Sequence, residues 1–221
     1  MRIFCYFSGS TRLSTLHVRQ NILTFKEVLK DYTVDYCIVT DKHEEFFFDV
    51  EYLSDLGEIL IVPRVENCSV TQNGHSTVST MYYRIIQDHI KEREYDYVIK
   101  IRNDMTLVLA NIYRYFNGRT YVLPRYWWNT DPLSLENENF LIIPFVKFAQ
   151  LDFSQENVDC LAPLMKDTEQ LIVHLTHPTA IIDPDDIVDY CLFGTLKFHV
   201  RGKRTLFTSI PPQWMLFFFR R

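Results

Sequence analysis

The segment Tyr95-Asp96-Tyr97-Val98-Ile99-Lys100-Ile101-Arg102-Asn103-Asp104 constrains this chain more than any other. Its apolar run, Tyr97 to Ile101, suits a central strand buried on both faces. Charge gathers at the carboxyl end of that run, as Arg102 and Asp104. In an open α/β sheet, ligands bind beyond the carboxyl ends of the strands. The segment therefore predicts a buried strand that delivers a charged site. A carboxylate at Asp104 can ligate a hard divalent cation, and Arg102 can meet a phosphate with its planar fork. On spacing alone, a solvated loop acid paired with a nearby base explains the same residues.

The chain before this segment alternates strand and helix. Ile3 to Phe7 reads as a buried strand that ends at the small-residue turn Ser8-Gly9-Ser10-Thr11-Arg12. From about Thr15 to Lys30, apolar residues recur at helical spacing. Val34 to Thr40 is a second strand, followed by Asp41, and Leu60 to Val62 a third, closed by Pro63. A helix follows from about Thr77 to Glu92. That order predicts an α/β fold with a mostly parallel sheet and crossover helices.

Beyond Asp104 the pattern is less regular. Asn111 to Tyr115 reads as a short helix, and Tyr121 to Leu123 and Phe140 to Ile143 as strands. Asn157 to Met165 and Thr168 to His174 have helical patterns. Asp183-Pro184-Asp185-Asp186 reads as a helix start running to about Leu192, with a capping acid, a proline at the first helical position and acids at the positive end.

Composition limits the function classes. With 221 residues, 47% hydrophobic and 23% charged, the chain suits one globular domain with a sizeable core. Its formal net charge is −5 and its Lys and Arg are scattered, which argues against nucleic-acid binding. Five cysteines lack any CxxC or zinc spacing. Free thiols and the lack of a signal-like N-terminus predict a cytoplasmic protein. His174 and His177 lack a third nearby ligand and read as structural.

The strand Tyr95 to Asp104, the helix opening Ser79-Thr80-Met81-Tyr82-Tyr83-Arg84, the turn Phe7-Ser8-Gly9-Ser10-Thr11-Arg12 and the segment Val188 to Gly194 together resemble glycosyltransferases of the GT-A-like type. In particular they resemble WavE-type lipopolysaccharide-synthesis proteins and related viral glycan-building enzymes. Lys100 stands where the resembled Arg-x-Arg-x-Asp pattern has its first Arg, and Arg102-Asn103-Asp104 offers one carboxylate where GT-A enzymes commonly have Asp-x-Asp.

The resemblance implies a GT-A-like, Rossmann-like domain over residues 1–221. A nucleotide-sugar half would cover about 1–105 and an irregular acceptor half about 106–221. It implies a hexosyltransferase-like enzyme that moves a sugar from a nucleotide-diphosphate sugar, UDP-sugar favoured, to the hydroxyl of a glycan or glycoconjugate acceptor, with inversion. Ser8 and Gly9 would face the base and ribose, with Arg12 and Arg102 at the diphosphate. Asp41, Ser79, Tyr83 and Arg84 would lie on the same edge, where a helix N-terminus favours anions. Tyr83 would stack on the base, unless it or Tyr82 belongs to the core. Asp104 would hold Mn²⁺ or Mg²⁺ with the diphosphate; a metal-independent site using Arg102, Lys100 or Arg12 stays open.

Inversion needs a general base, and Asp189, then Asp186, are the candidates, although acids in a first helical turn also stabilise helices without any catalytic role. Trp127 and Trp128 are candidates for a sugar platform or for core packing. The aromatic tail Trp214 to Phe219, with Arg220 and Arg221 beyond it, suits a membrane surface, a partner domain or fold-back on the core. The competing class is a non-catalytic nucleotide- or carbohydrate-binding module with a degenerate site.

Overall fold

The computed structural model describes residues 1–9, 15–41, 51–62, 68–74, 77–124, 136–192, 196–198 and 208–209. Strand β1 (Arg2–Ser8) leads through helix α1 (Thr15–Val28) to β2 (Thr33–Asp41). A 3₁₀ turn at Glu51–Leu53 precedes β3 (Glu58–Val62), and helix α2 (Val78–Ile90) carries the chain to β4 (Tyr97–Arg102). The predicted alternation thus holds, with boundaries moved by a residue or two.

Beyond Arg102 come β5 (Met105–Leu109), a 3₁₀ turn at Ile112–Tyr115, β6 (Tyr121–Pro124) and β7 (Glu136–Pro144). Helices α3 (Phe145–Gln150), α4 (Gln155–Leu161) and α5 (Thr168–Thr176) follow. The strands β8 (Ala180–Ile181), β9 (Ile187–Leu192), β10 (Leu196–Phe198) and β11 (Thr208–Ser209) complete the described elements.

Among the described residues, seven strands form one sheet in the order β3-β2-β1-β4-β7-β6-β8. The four strands β3, β2, β1 and β4 run parallel, and β7 lies antiparallel against β4. A second sheet has the order β11-β10-β9-β5. The later strands β6, β7 and β8 complete the first sheet, so both halves of the sequence build it.

Alternation along β1 and β4 divides the core into two layers. Ile3, Cys5, Phe7, Ile99 and Ile101 face α1, and Phe4, Tyr6 and Val98 face α2. Helices thus cover both faces, which is why β1 and β4 carry almost continuous apolar sequence. On the α1 side, Met105, Leu107 and Leu109 of β5 join the same cluster, so one core spans both sheets.

The helix expected over Asp183 to Leu192 is instead a 3₁₀ turn, Pro184–Asp186, followed by strand β9. Ile187 is buried and Val188 exposed, the alternation of a half-buried strand. The capping acids start a single turn, and pairing with β5 then outweighs helix propensity. Asp186 and Asp189 therefore do not share a helical face. His177 adopts φ 44° and closes α5 in the left-handed conformation, donating its N–H to the Val173 carbonyl. The residues Trp127, Trp128 and Trp214 to Phe219 lie outside the described residues. No helix among the described residues is long and apolar enough to cross a membrane.

Phe25 fastens α1 to the sheet. Its ring meets Phe7 edge-on at 6.3 Å and Phe140 at 5.6 Å, and it is fully buried. Phe25→Ala is expected to destabilise the fold by about 3–5 kcal/mol through lost burial and a residual cavity. Chemical denaturation, comparing midpoints at constant slope, measures this.

Candidate functional site

The site is placed by a reversal in strand order. From β1 the chain steps outward to β2 and β3, then α2 returns it across β1 to β4. Helices α1 and α2 lie on opposite faces, so the carboxyl ends of β1 and β4 mark the switch point beyond which ligands of open α/β sheets bind. Ser8 pairs with Arg102 in the register of these strands, so the predicted turn and the predicted charged strand end meet.

Gly9 follows with φ 112°, a conformation that L side chains rarely adopt. A Cβ there would lie 3.8 Å from Cγ of Arg102, so backbone conformation rather than space requires glycine. Asn103 braces this turn. Its backbone N–H donates to the Ser8 carbonyl at 3.1 Å and its Nδ2 to the Gly9 carbonyl at 3.0 Å. Asn21 of α1 donates from Nδ2 to the Asn103 carbonyl at 3.1 Å and accepts from the Thr106 hydroxyl at 2.5 Å. Asn103 is fully buried, and its Oδ1 has no hydrogen-bond partner among the described residues.

Arg102 and Asp104 form a two-pronged pair. Nε of Arg102 donates to Oδ1 of Asp104 at 2.9 Å and Nη2 donates to Oδ2 at 2.8 Å. Nη1 donates to Oδ1 of Asn139, on β7, at 2.9 Å. The guanidinium is thus held in one plane by two strands and a turn. The Asp104 side chain has no exposed surface, whereas the Arg102 side chain keeps 15%. Lys100, on the same face of β4, is 4% exposed. Fork-to-fork pairing of this kind is strong because both groups are charged and the geometry is planar.

This donor set does not fit a divalent cation. Mg²⁺ demands close, near-octahedral oxygen coordination and keeps several waters, whereas Asp104 is wholly buried and both its oxygens already accept from a guanidinium. The described residues contain no group of three or more His, Cys, Asp or Glu that would hold a metal.

The remaining predicted residues separate. Asp41 ends β2 opposite Val62, at the same edge; its side chain and Arg12 lie outside the described residues. Tyr83 is 1% exposed, stacked on Phe153 at 4.6 Å and edge-on to Tyr6 at 6.1 Å. It belongs to the core, as does Tyr82, and is not a platform for a base. Ser79 and Arg84 are half-buried on α2. Arg84 lines a cavity of ≈ 20 Å³ with Thr77, Thr80, Met81 and Gln155, room for about one water.

Asp186 is engaged elsewhere. Its carboxylate accepts from Tyr115 at 2.5 Å, Arg114 at 2.8 Å and Asn111 at 2.9 Å. Burial pushes this carboxyl up, but the bonds from Tyr115, Asn111 and Arg114 outweigh burial and hold it below the ordinary carboxylate range. Such a group is a poor proton acceptor. It ties the 3₁₀ turn after β5 to the start of β9, helped by Ala110 N–H donating to its carbonyl at 2.9 Å. Asp189 sits on β9 opposite Val108; its side chain lies outside the described residues. Sequence reasoning missed Asn21 and Asn139, because nothing local marks a polar residue that is paired only through the sheet.

Comparison with known proteins agrees on the fold. No protein-family model and no curated protein matches the sequence. Among solved structures, galactosyltransferase LgtC in complex with donor and acceptor sugar analogues is similar with a TM-score of 0.52 and 9% identity, over 83% of this chain and 73% of that one. A glycosyltransferase involved in glycosylating the major capsid of PBCV-1 follows at TM-score 0.43 and 13% identity, over 82% and 79%. Glycosyltransferase GlyE of Streptococcus pneumoniae TIGR4 gives 0.48 and 12%, over 83% and 45%. The chain has a GT-A-like fold.

Replacing Asp186 with Ala removes the acceptor of three donors, the buried Tyr115 hydroxyl among them, and is expected to cost about 2–3 kcal/mol. The pH dependence has a defined sign. The carboxyl titrates near 3.9 unfolded and lower when folded. Its contribution is complete above the unfolded value and disappears as pH falls through the folded one. Asp186→Asn should therefore flatten the acid limb of stability against pH, read by thermal melts across roughly pH 2 to 6.

Proposed function

We propose that this protein is a glycosyltransferase that moves a hexose or similar sugar from a nucleotide-diphosphate sugar, UDP-sugar favoured, to the hydroxyl of a glycan or glycoconjugate acceptor. The observation that carries this reading is the Ser8–Arg102 pairing at the reversal of strand order, with a partly exposed, planar-locked guanidinium beside it. A fold shared with LgtC, whose structure holds donor and acceptor sugar analogues, supports it.

In this reading the base and ribose lie along Ser8 and Gly9, and the diphosphate meets Arg102. The acceptor approaches from the side of β9. Asp189 takes the proton of the acceptor hydroxyl, the oxygen attacks the anomeric carbon, and the bond to the diphosphate breaks with inversion. The electron pair leaves with the nucleoside diphosphate, whose growing charge Arg102 offsets. Asp186, closed by three donors, holds β9 in place. Cys5, Cys37, Cys68 and Cys160 are free thiols, in keeping with a cytoplasmic setting.

The engagement of both Asp104 and Asp186 favours a second reading, a nucleotide- or carbohydrate-binding module without turnover. Titrating UDP-, GDP- and dTDP-sugars by calorimetry, and following sugar release from any that bind, separates the two. An enzyme releases free sugar slowly, and Asp189→Asn slows this about 10²–10⁴-fold while donor affinity holds. Binding without release supports the module, and no binding by any donor removes the transferase.

A further inference from the structure

The Arg102–Asp104 pair also bears on how a donor's charge is met. We propose that Asp104 is a positioning residue for Arg102, and that the donor diphosphate binds through this guanidinium without a divalent cation. The inference rests on the nucleotide-sugar reading above.

A carboxylate that serves as a metal ligand keeps at least one oxygen turned to the ligand cavity. Asp104 does the opposite. Its side chain is wholly buried, and each oxygen accepts a separate N–H of one guanidinium. A cation at either oxygen would displace one of those bonds and lie against a like charge. The third contact, Nη1 to Asn139, fixes the plane of the fork from the neighbouring strand. Three bonds from two sides leave Arg102 almost no torsional freedom, which lowers the entropy cost of meeting a phosphate.

The location suits that task. Arg102 ends β4 opposite Ser8, beside the positive-φ Gly9, at the switch point where the strand order reverses. Its side chain keeps 15% of its surface while its carboxylate partner keeps none. Cation and anion are thus sorted by depth, with the positive group outermost and the negative group behind it. An anionic ligand meets the cation first.

The experiment uses the whole chain after removal of metals. UDP, GDP and dTDP are titrated by calorimetry in EDTA and again with Mn²⁺. The expected result is a Kd that moves less than about threefold between the two conditions. Tightening by Mn²⁺ of about tenfold or more overturns the proposal. If none binds in either condition, the donor reading falls with it.

A second arm needs no nucleotide. Mn²⁺ alone is titrated into wild type and Asp104→Asn, with paramagnetic resonance as the readout and circular dichroism to verify folding. Equal binding in both supports the proposal, and a Mn²⁺ site lost in the variant overturns it even where no donor binds. A third arm separates a phosphate-facing guanidinium from a merely structural one. In Arg102→Ala, nucleotide binding should fall about tenfold or more and return in part with added methylguanidinium. Return with Mn²⁺ instead overturns the assignment.

Discussion

The parallel pairing of β1 with β4 is the constraint on which the rest of the structure depends. These strands are adjacent in space and far apart in sequence, with two helices and two strands between them. With that pairing α1 and α2 lie on opposite faces, the core divides into two layers, and a switch point falls at the carboxyl ends. The pairing also brings Ser8 opposite Arg102.

Most polar groups at the carboxyl ends of β1 and β4 are buried or half-buried and are answered by another, Oδ1 of Asn103 excepted. Asn103 binds the Ser8 and Gly9 carbonyls, Asn21 reaches it from α1, and Arg102 is shared between Asp104 and Asn139. Removing one partner of a buried pair costs about 3–5 kcal/mol, because the other charge stays behind unpaired. Networks of this sort hold a site rigid as well as stable. The same reasoning separates the acids. Asp104 is closed by Arg102, Asp186 by Tyr115, Arg114 and Asn111, and Asp189 stands on the strand that Asp186 anchors.

Much of the fold was legible in the first part of the sequence. Apolar runs near five residues, divided by helical periodicity, describe a parallel sheet because both faces of each strand are buried. The later part was harder. Strand β5 follows β4 after a two-residue turn, and no pattern marks that it leaves the first sheet for a second. The stretch from Asp183 carries helix-start chemistry, yet β9 forms because β5 offers an edge. Local propensity is worth tenths of a kcal/mol per residue, and pairing plus burial exceeds it.

The candidate site divides along the same line. The sequence by itself determined that Arg102 and Asp104 stand at the end of a buried strand, and that a small-residue turn ends β1. It did so because burial and turn chemistry are local properties of residue type. Only the tertiary structure decided what those groups do. It paired Asp104 with Arg102, put Tyr83 into the core against Phe153, and closed Asp186 with three donors. Those outcomes depend on which side chains meet across the sheet, and long-range register carries no trace in local spacing.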